Sequence, residues 1–140
     1  ALDLYPDSLQ GYYVLGAAEL GLSRFPEAIR AFERAVATSA DTISIGYLGH
    51  AYARAGRTDA AFSSLDELLS RLHRGYVTIK PFVCLYAGLG ERDRAFEWLE
   101  KAFEERDPML FWLYSVPFFE PLRSDPRFDE MARRIGLPQR

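Results

Sequence analysis

The sequence is poorest in residues that would cross-link it or bind metal. One cysteine, Cys84, among 140 residues excludes an intrachain disulfide and a cysteine-rich metal site. Histidine occurs only as His50 and His73, and no glutamate-bearing zinc motif surrounds either. Positive charge is not in excess. The 17 Lys and Arg face 20 Asp and Glu, a formal charge of −3, whereas nucleic acid and anionic membranes call for a basic field. Long apolar runs are missing too. The longest, Met109 to Phe119, is broken by Ser115 and Pro117 and falls far short of the roughly 20 residues that span a bilayer. Neither a nucleic-acid partner nor a membrane span is expected.

What is present argues for a folded domain. Apolar residues make up 49% of the chain, aromatics 14% and charged residues 26%, which excludes a disordered tail. A chain of this length buries roughly two thirds of its unfolded surface. It also repeats itself. Leu15 recurs as Leu48, 33 residues on, and as Phe82, 34 further. Ala28, Ala61 and Ala95 keep the same offsets, as do Phe32, Leu65 and Leu99. Segments Tyr12–Ala35, Ile45–Leu68 and Ile79–Ala102 therefore superimpose.

Within each unit the apolar spacing is helical, as in Tyr12, Leu15, Gly16 and in Ala28, Phe32, Ala35. Breaks at Ser23–Pro26, Ala55–Thr58 and Leu89–Glu91 divide each unit in two. Gly56 and Gly90 suit a left-handed helix end, and Pro26 suits a first helical turn. The spacing predicts helices over 8–22, 26–38, 42–55, 59–73, 78–89 and 92–106, paired as hairpins.

Helical hairpins of this length resemble the tetratricopeptide repeat. Tyr12, Leu15, Gly16, Glu27, Ala28, Ile29, Phe32 and Ala35 carry the likeness in the first unit. Leu48, Gly49, Ala51, Tyr52, Ala61 and Leu65 carry it in the second, and Tyr86, Gly90, Ala95 and Ala102 in the third. Glu19, Val83 and Leu68 depart from the pattern. The resemblance implies an all-α, right-handed α-solenoid of three hairpins, at 7–41, 42–75 and 76–108, with a helical cap at 109–140. Residues 1–6 read as the end of a preceding repeat, and the chain as a fragment of a longer protein.

In the cap, Met109–Tyr114 suits a short apolar helix, and Pro117 and Pro121 punctuate the stretch after it. Ser124 or Asp125 is the expected N-cap of a last helix, which Gly136 stops, with Leu137 reaching back to Met131 or Ala132. Residues 90–102 and 121–128 together are similar to the C-terminal repeat tails of bacterial multidomain regulators, in which a winged-helix, protein-kinase or cyclase domain precedes the repeats. That likeness implies a cytoplasmic interaction module.

Chemistry is harder to find. Gly88-Leu89-Gly90 is superficially like a phosphate loop but lacks the third glycine and the preceding strand. No serine has a triad partner motif, so no enzyme activity, metal or cofactor is expected. Binding is the better expectation. In stacked tetratricopeptide hairpins the first helices line a groove, which implies Gln10, Tyr13 and Ala17, then Tyr47, His50 and Arg54, then Lys80, Cys84 and Ala87. Of these, Tyr13, Tyr47, His50, Arg54 and Lys80 suit a protein or peptide ligand carrying an acidic group. Tyr13 and Ala17 stand where the chaperone-binding members carry a lysine and an asparagine, so a chaperone tail is not expected. Cys84 reads as a small buried residue, and Trp98 and Trp112 as wedges between helices. The alternative function is self-association of the parent protein, as a homo-oligomer through its N-terminal edge.

Overall fold

The turn inside each of the three helical hairpins closes in one way. In the computed structural model, which describes residues 8–75 and 77–138, α1 (Leu9–Gly21) ends with Ser23 left-handed at φ 60°. The Arg24 amide then donates back to the Glu19 carbonyl at 2.8 Å. After α3 (Thr42–Arg54), Gly56 at φ 83° repeats this, with Arg57 donating to Tyr52 at 2.8 Å. After α5 (Lys80–Leu89), Gly90 at φ 77° lets Glu91 donate to Tyr86 at 3.0 Å. These are Schellman closures, which satisfy carbonyls that the helix end leaves free.

Each turn leads into the partner helix of its hairpin: α2 (Phe25–Thr38), α4 (Thr58–Arg74) and α6 (Arg92–Glu104). The chain is all-α, with no strand among the described residues. The expected remnant of a preceding repeat, residues 1–6, lies outside those residues. Observed ends differ from expectation by a residue or two. The largest differences are two residues each: α6 ends at Glu104 rather than 106, and α5 starts at Lys80 rather than 78, because Pro81 suits only the first helical turn and so fixes where the helix begins.

Consecutive helices pair as α1 with α2, α3 with α4 and α5 with α6, and α2 packs on α3 and α3 on α5. Small residues make the pairs close. A Cβ on Gly16 would stand 2.3 Å from Phe32 Cε1, and one on Gly49 would stand 2.6 Å from Leu85 Cδ1. Both distances are far inside van der Waals contact, so any side chain here would push the helices apart. Ala28, Ala61 and Ala95 are fully buried at the facing positions.

The last quarter of the chain folds back onto this body. Asp107 caps a 3-10 helix, Pro108–Trp112, by accepting from the Met109 amide at 3.0 Å. A second 3-10 helix, Pro117–Leu122, comes next, then α7 (Pro126–Arg134) with Asp125 as N-cap. Leu137 donates to the Ala132 carbonyl at 2.9 Å with Gly136 left-handed, the closure expected from the sequence. Helix α7 is clamped to α6 by Arg127 on Asp93 at 2.9 Å and by Arg134 on Glu100. The same guanidinium groups lie over the Phe96 and Phe103 rings, at 4.5 and 4.2 Å from the centroids. Phe128 and Met131 are buried beneath them.

The two tryptophans part company. Trp98 stacks on Phe82, centroids 4.2 Å apart and planes 6° from parallel, as a wedge should. Trp112, expected to do the same, is 60% exposed beside an equally exposed Phe111. With about three residues per 3-10 turn, Met109, Leu110 and Leu113 point inward and the two aromatics between them face solvent.

Candidate functional site

The five residues expected to line a groove come from α1 (Tyr13), α3 (Tyr47, His50 and Arg54) and the first turn of α5 (Lys80). They form one contiguous cluster. The Tyr13 and Tyr47 rings meet edge to face with centroids 5.2 Å apart, and Lys80 Nζ lies 5.3 Å from the Tyr47 centroid. Arg54 Nη1 lies 3.3 Å from His50 Nε2, and its guanidinium sits 5.1 Å from the Phe25 centroid.

The centre of that cluster is occupied by the chain itself. Phe118, on the second 3-10 helix, stacks on Tyr47 at 4.2 Å and meets His50 edge-on at 5.1 Å. It also contacts Phe32 at 5.9 Å. Phe118, Phe119 and Leu122 are all buried. The 3-10 helix packs against α5 and reaches α1, where Pro117 comes to Gly21. Tyr47 and His50 are consequently buried, while Tyr13, Arg54 and Lys80 stay half-exposed. Of the other expected lining residues, Gln10 is exposed, Ala17 half-buried, and Cys84 and Ala87 fully buried.

Burial sets the electrostatics. The His50 ring is enclosed, which lowers its pKa to about 3 and keeps it neutral. Its Nδ1 lies 2.7 Å from the Cys84 carbonyl, which can only accept, so Nδ1 carries the proton and Nε2 accepts from Arg54. Burial likewise pushes the Cys84 thiol up to about 12, which leaves it unreactive. Tyr13 donates to Asp41 at 3.0 Å and accepts from Ser44 at 2.8 Å. Burial is the main reason that its pKa rises to about 12. Asp41 also caps α3 by accepting from the Ser44 amide, so Tyr13 ties α1 to the start of α3.

One part of the face remains open. A cleft of about 370 Å³ is lined by Arg54, Gly88, Gly90, Arg92, Glu120 and Ser124, together with Ala87 and Pro121. Arg54 and Arg92 belong to no ion pair among the described residues. Arg92 donates to the Ser124 hydroxyl at 3.4 Å, and its charge helps to hold Asp125 ionised. Sequence reasoning places Arg54 on this face but misses Arg92, Glu120 and Ser124, because the fold-back of residues 117–124 is what brings them to it. The available signal is Phe118, Phe119 and Leu122, whose apolar bulk in a proline-framed stretch needs a surface to cover.

The chain matches no family model, no curated protein and no solved structure. Among the described residues no group of three or more His, Cys, Asp or Glu side chains could hold a metal ion. No helix among them is long and apolar enough to cross a membrane.

Proposed function

We propose that this chain is a non-catalytic protein–protein interaction module of the tetratricopeptide kind, a solenoid of three hairpins with a helical cap, serving a bacterial regulatory protein. It takes an acidic segment of its partner in the cleft between α3, α5 and residues 120–124. The observation that carries this reading is the state of Arg54. Its guanidinium is held by Phe25 on one side and His50 on another, yet it has no carboxylate partner among the described residues and borders an open cleft with Arg92. A positioned cation loses little side-chain entropy on binding, and a carboxylate there gains charge-assisted hydrogen bonds. Pro121 supplies apolar surface beside it.

Fluorescence anisotropy with labelled, glutamate-rich peptides tests this. Arg54→Glu and Arg92→Glu should each weaken binding by about 1–3 kcal/mol, roughly 5- to 150-fold. Arg133→Glu, in the last turn of α7, outside the cleft lining and paired with Glu130, should bind as the parent does. Equal binding by all three variants would dispose of the reading. Circular dichroism of Arg54→Glu separates lost binding from lost fold, and Arg92→Glu stands as the second variant should the first unfold.

A further inference from the structure

Helices α3 and α5 run parallel, with Gly46 packed on Pro81, Gly49 on Leu85 and His50 on Gly88. The cleft that holds Arg54, Gly88 and Gly90 therefore lies at their closing ends. Two of its lining residues, Gly90 and Arg92, also line a second cleft of about 420 Å³, with Glu91, Asp93, Arg94 and Arg127. The two clefts meet at the start of α6 and present one surface to a partner.

Charge of both signs stands unpaired along that surface. Arg54, Arg92 and Glu120 line the first cleft, and Glu91 and Arg94 the second. None of the five is in an ion pair among the described residues. Further along α6 the charges are paired across to α7, Asp93 with Arg127 and Glu100 with Arg134. Glu120 is exposed, while Phe119 and Leu122 on the same 3-10 helix are fully buried. The backbone that carries its carboxylate is thus held in place beside the two arginines. Cations and a carboxylate that share a cleft without pairing leave room between them for ligand groups of both signs.

We propose that Glu120 is a specificity-determining residue of this surface, selecting partner segments in which acidic and basic residues alternate over unbroken acidic runs. The proposal rests on the reading that the cleft takes an acidic segment, and adds what else that segment carries. A carboxylate that reaches Arg54 and Arg92 comes beside Glu120. A basic neighbour in the segment then donates to Glu120, whereas a second acid in its place is repelled. Beyond Arg92 the pattern continues, because Glu91 disfavours acid and Arg94 attracts it. Asp93 and Arg127 satisfy each other and take no part. Selectivity of this kind comes from a repulsive group as much as from an attractive one.

Fluorescence anisotropy of the full chain reads this with two labelled peptides of equal length, one glutamate-rich and one alternating glutamate with lysine. The parent should bind the alternating peptide more tightly. Glu120→Gln should loosen that peptide and tighten the glutamate-rich one, by roughly 2- to 5-fold each. Glu120→Lys should move the ratio of the two affinities further in the same direction. Glu104→Gln, at the last residue of α6 and outside both clefts, removes the same charge and should leave the ratio alone. A parent that prefers the glutamate-rich peptide overturns the proposal. So does a ratio that neither Glu120 variant moves, or that Glu104→Gln moves as far. Arg54→Glu separates this failure from failure of the site. If it weakens both peptides while the Glu120 variants change nothing, the cleft binds acid and the selection by Glu120 is wrong. If neither peptide binds, or Arg54→Glu weakens neither, the site and the selection fall together.

Discussion

Phe118 lies flat on Tyr47, with ring centroids 4.2 Å apart and planes 13° from parallel. This contact joins residues more than two repeat lengths apart in the chain. It also decides how much of the first-helix face a partner can reach. Tyr47 and His50 belong to the core because Phe118 covers them, and the proposed binding surface narrows to the edge where Arg54 emerges.

Truncating that ring should therefore be costly. Phe118→Ala removes a buried aromatic in contact with Tyr47, His50 and Phe32. The expected loss is about 3–5 kcal/mol, read from the denaturant midpoint. A loss below about 1 kcal/mol would mean that residues 117–122 do not rest on this face in solution.

Ser23 offers a gain instead. It occupies the left-handed position that Gly56 and Gly90 fill in the other two turns. A non-glycine residue there costs about 1–2 kcal/mol, and the greater unfolded-state freedom of glycine returns roughly half of that. Ser23→Gly should stabilise the chain by about 0.5–1 kcal/mol. Gly56→Ala should destabilise it, and the two changes measured side by side test whether the turns are equivalent.

His50 predicts a pH dependence. Its folded pKa, about 3, is depressed below the ordinary 6.5 by burial. Above pH 6.5 the ring is neutral in both states and stability is full. As pH falls from 6.5 towards 3, only the unfolded chain takes up the proton, so stability is lost. The loss amounts to about 2 kcal/mol between roughly pH 7 and 5. Asp125, held near 2 chiefly by its hydrogen bond from Arg127, adds acid sensitivity only below its ordinary 3.8. In His50→Asn, whose amide can still donate to the Cys84 carbonyl, the slope over that range should flatten. An unchanged slope would assign it to another group.

Local order was legible in the sequence. Gly56 and Gly90 marked their turns, Gly16 and Gly49 marked close approaches, and the Leu137–Ala132 closure came with Gly136. Ser23 hid its turn, because serine does not announce a left-handed conformation. That Tyr13, Tyr47, His50, Arg54 and Lys80 share a face was legible, since helical spacing and repeat offset fix which positions do so. What filled the space above them was not. Residues 117–122 form a 3-10 helix between prolines with no helical periodicity to read, and their contacts are set by distant helices rather than by neighbours. Trp112 was misplaced for the same reason, as three-residue turns aim side chains differently from an α-helix.

The central claim is that an acidic segment binds at the open edge of the first-helix face. Amide chemical-shift mapping during titration with a glutamate-rich peptide tests it most directly. Shifts are expected at Arg54, Gly88, Gly90, Arg92 and Ser124, which line the cleft, while Arg133 and Arg134 on α7 stay still. Shifts confined to α7, or none at saturating peptide, would contradict it.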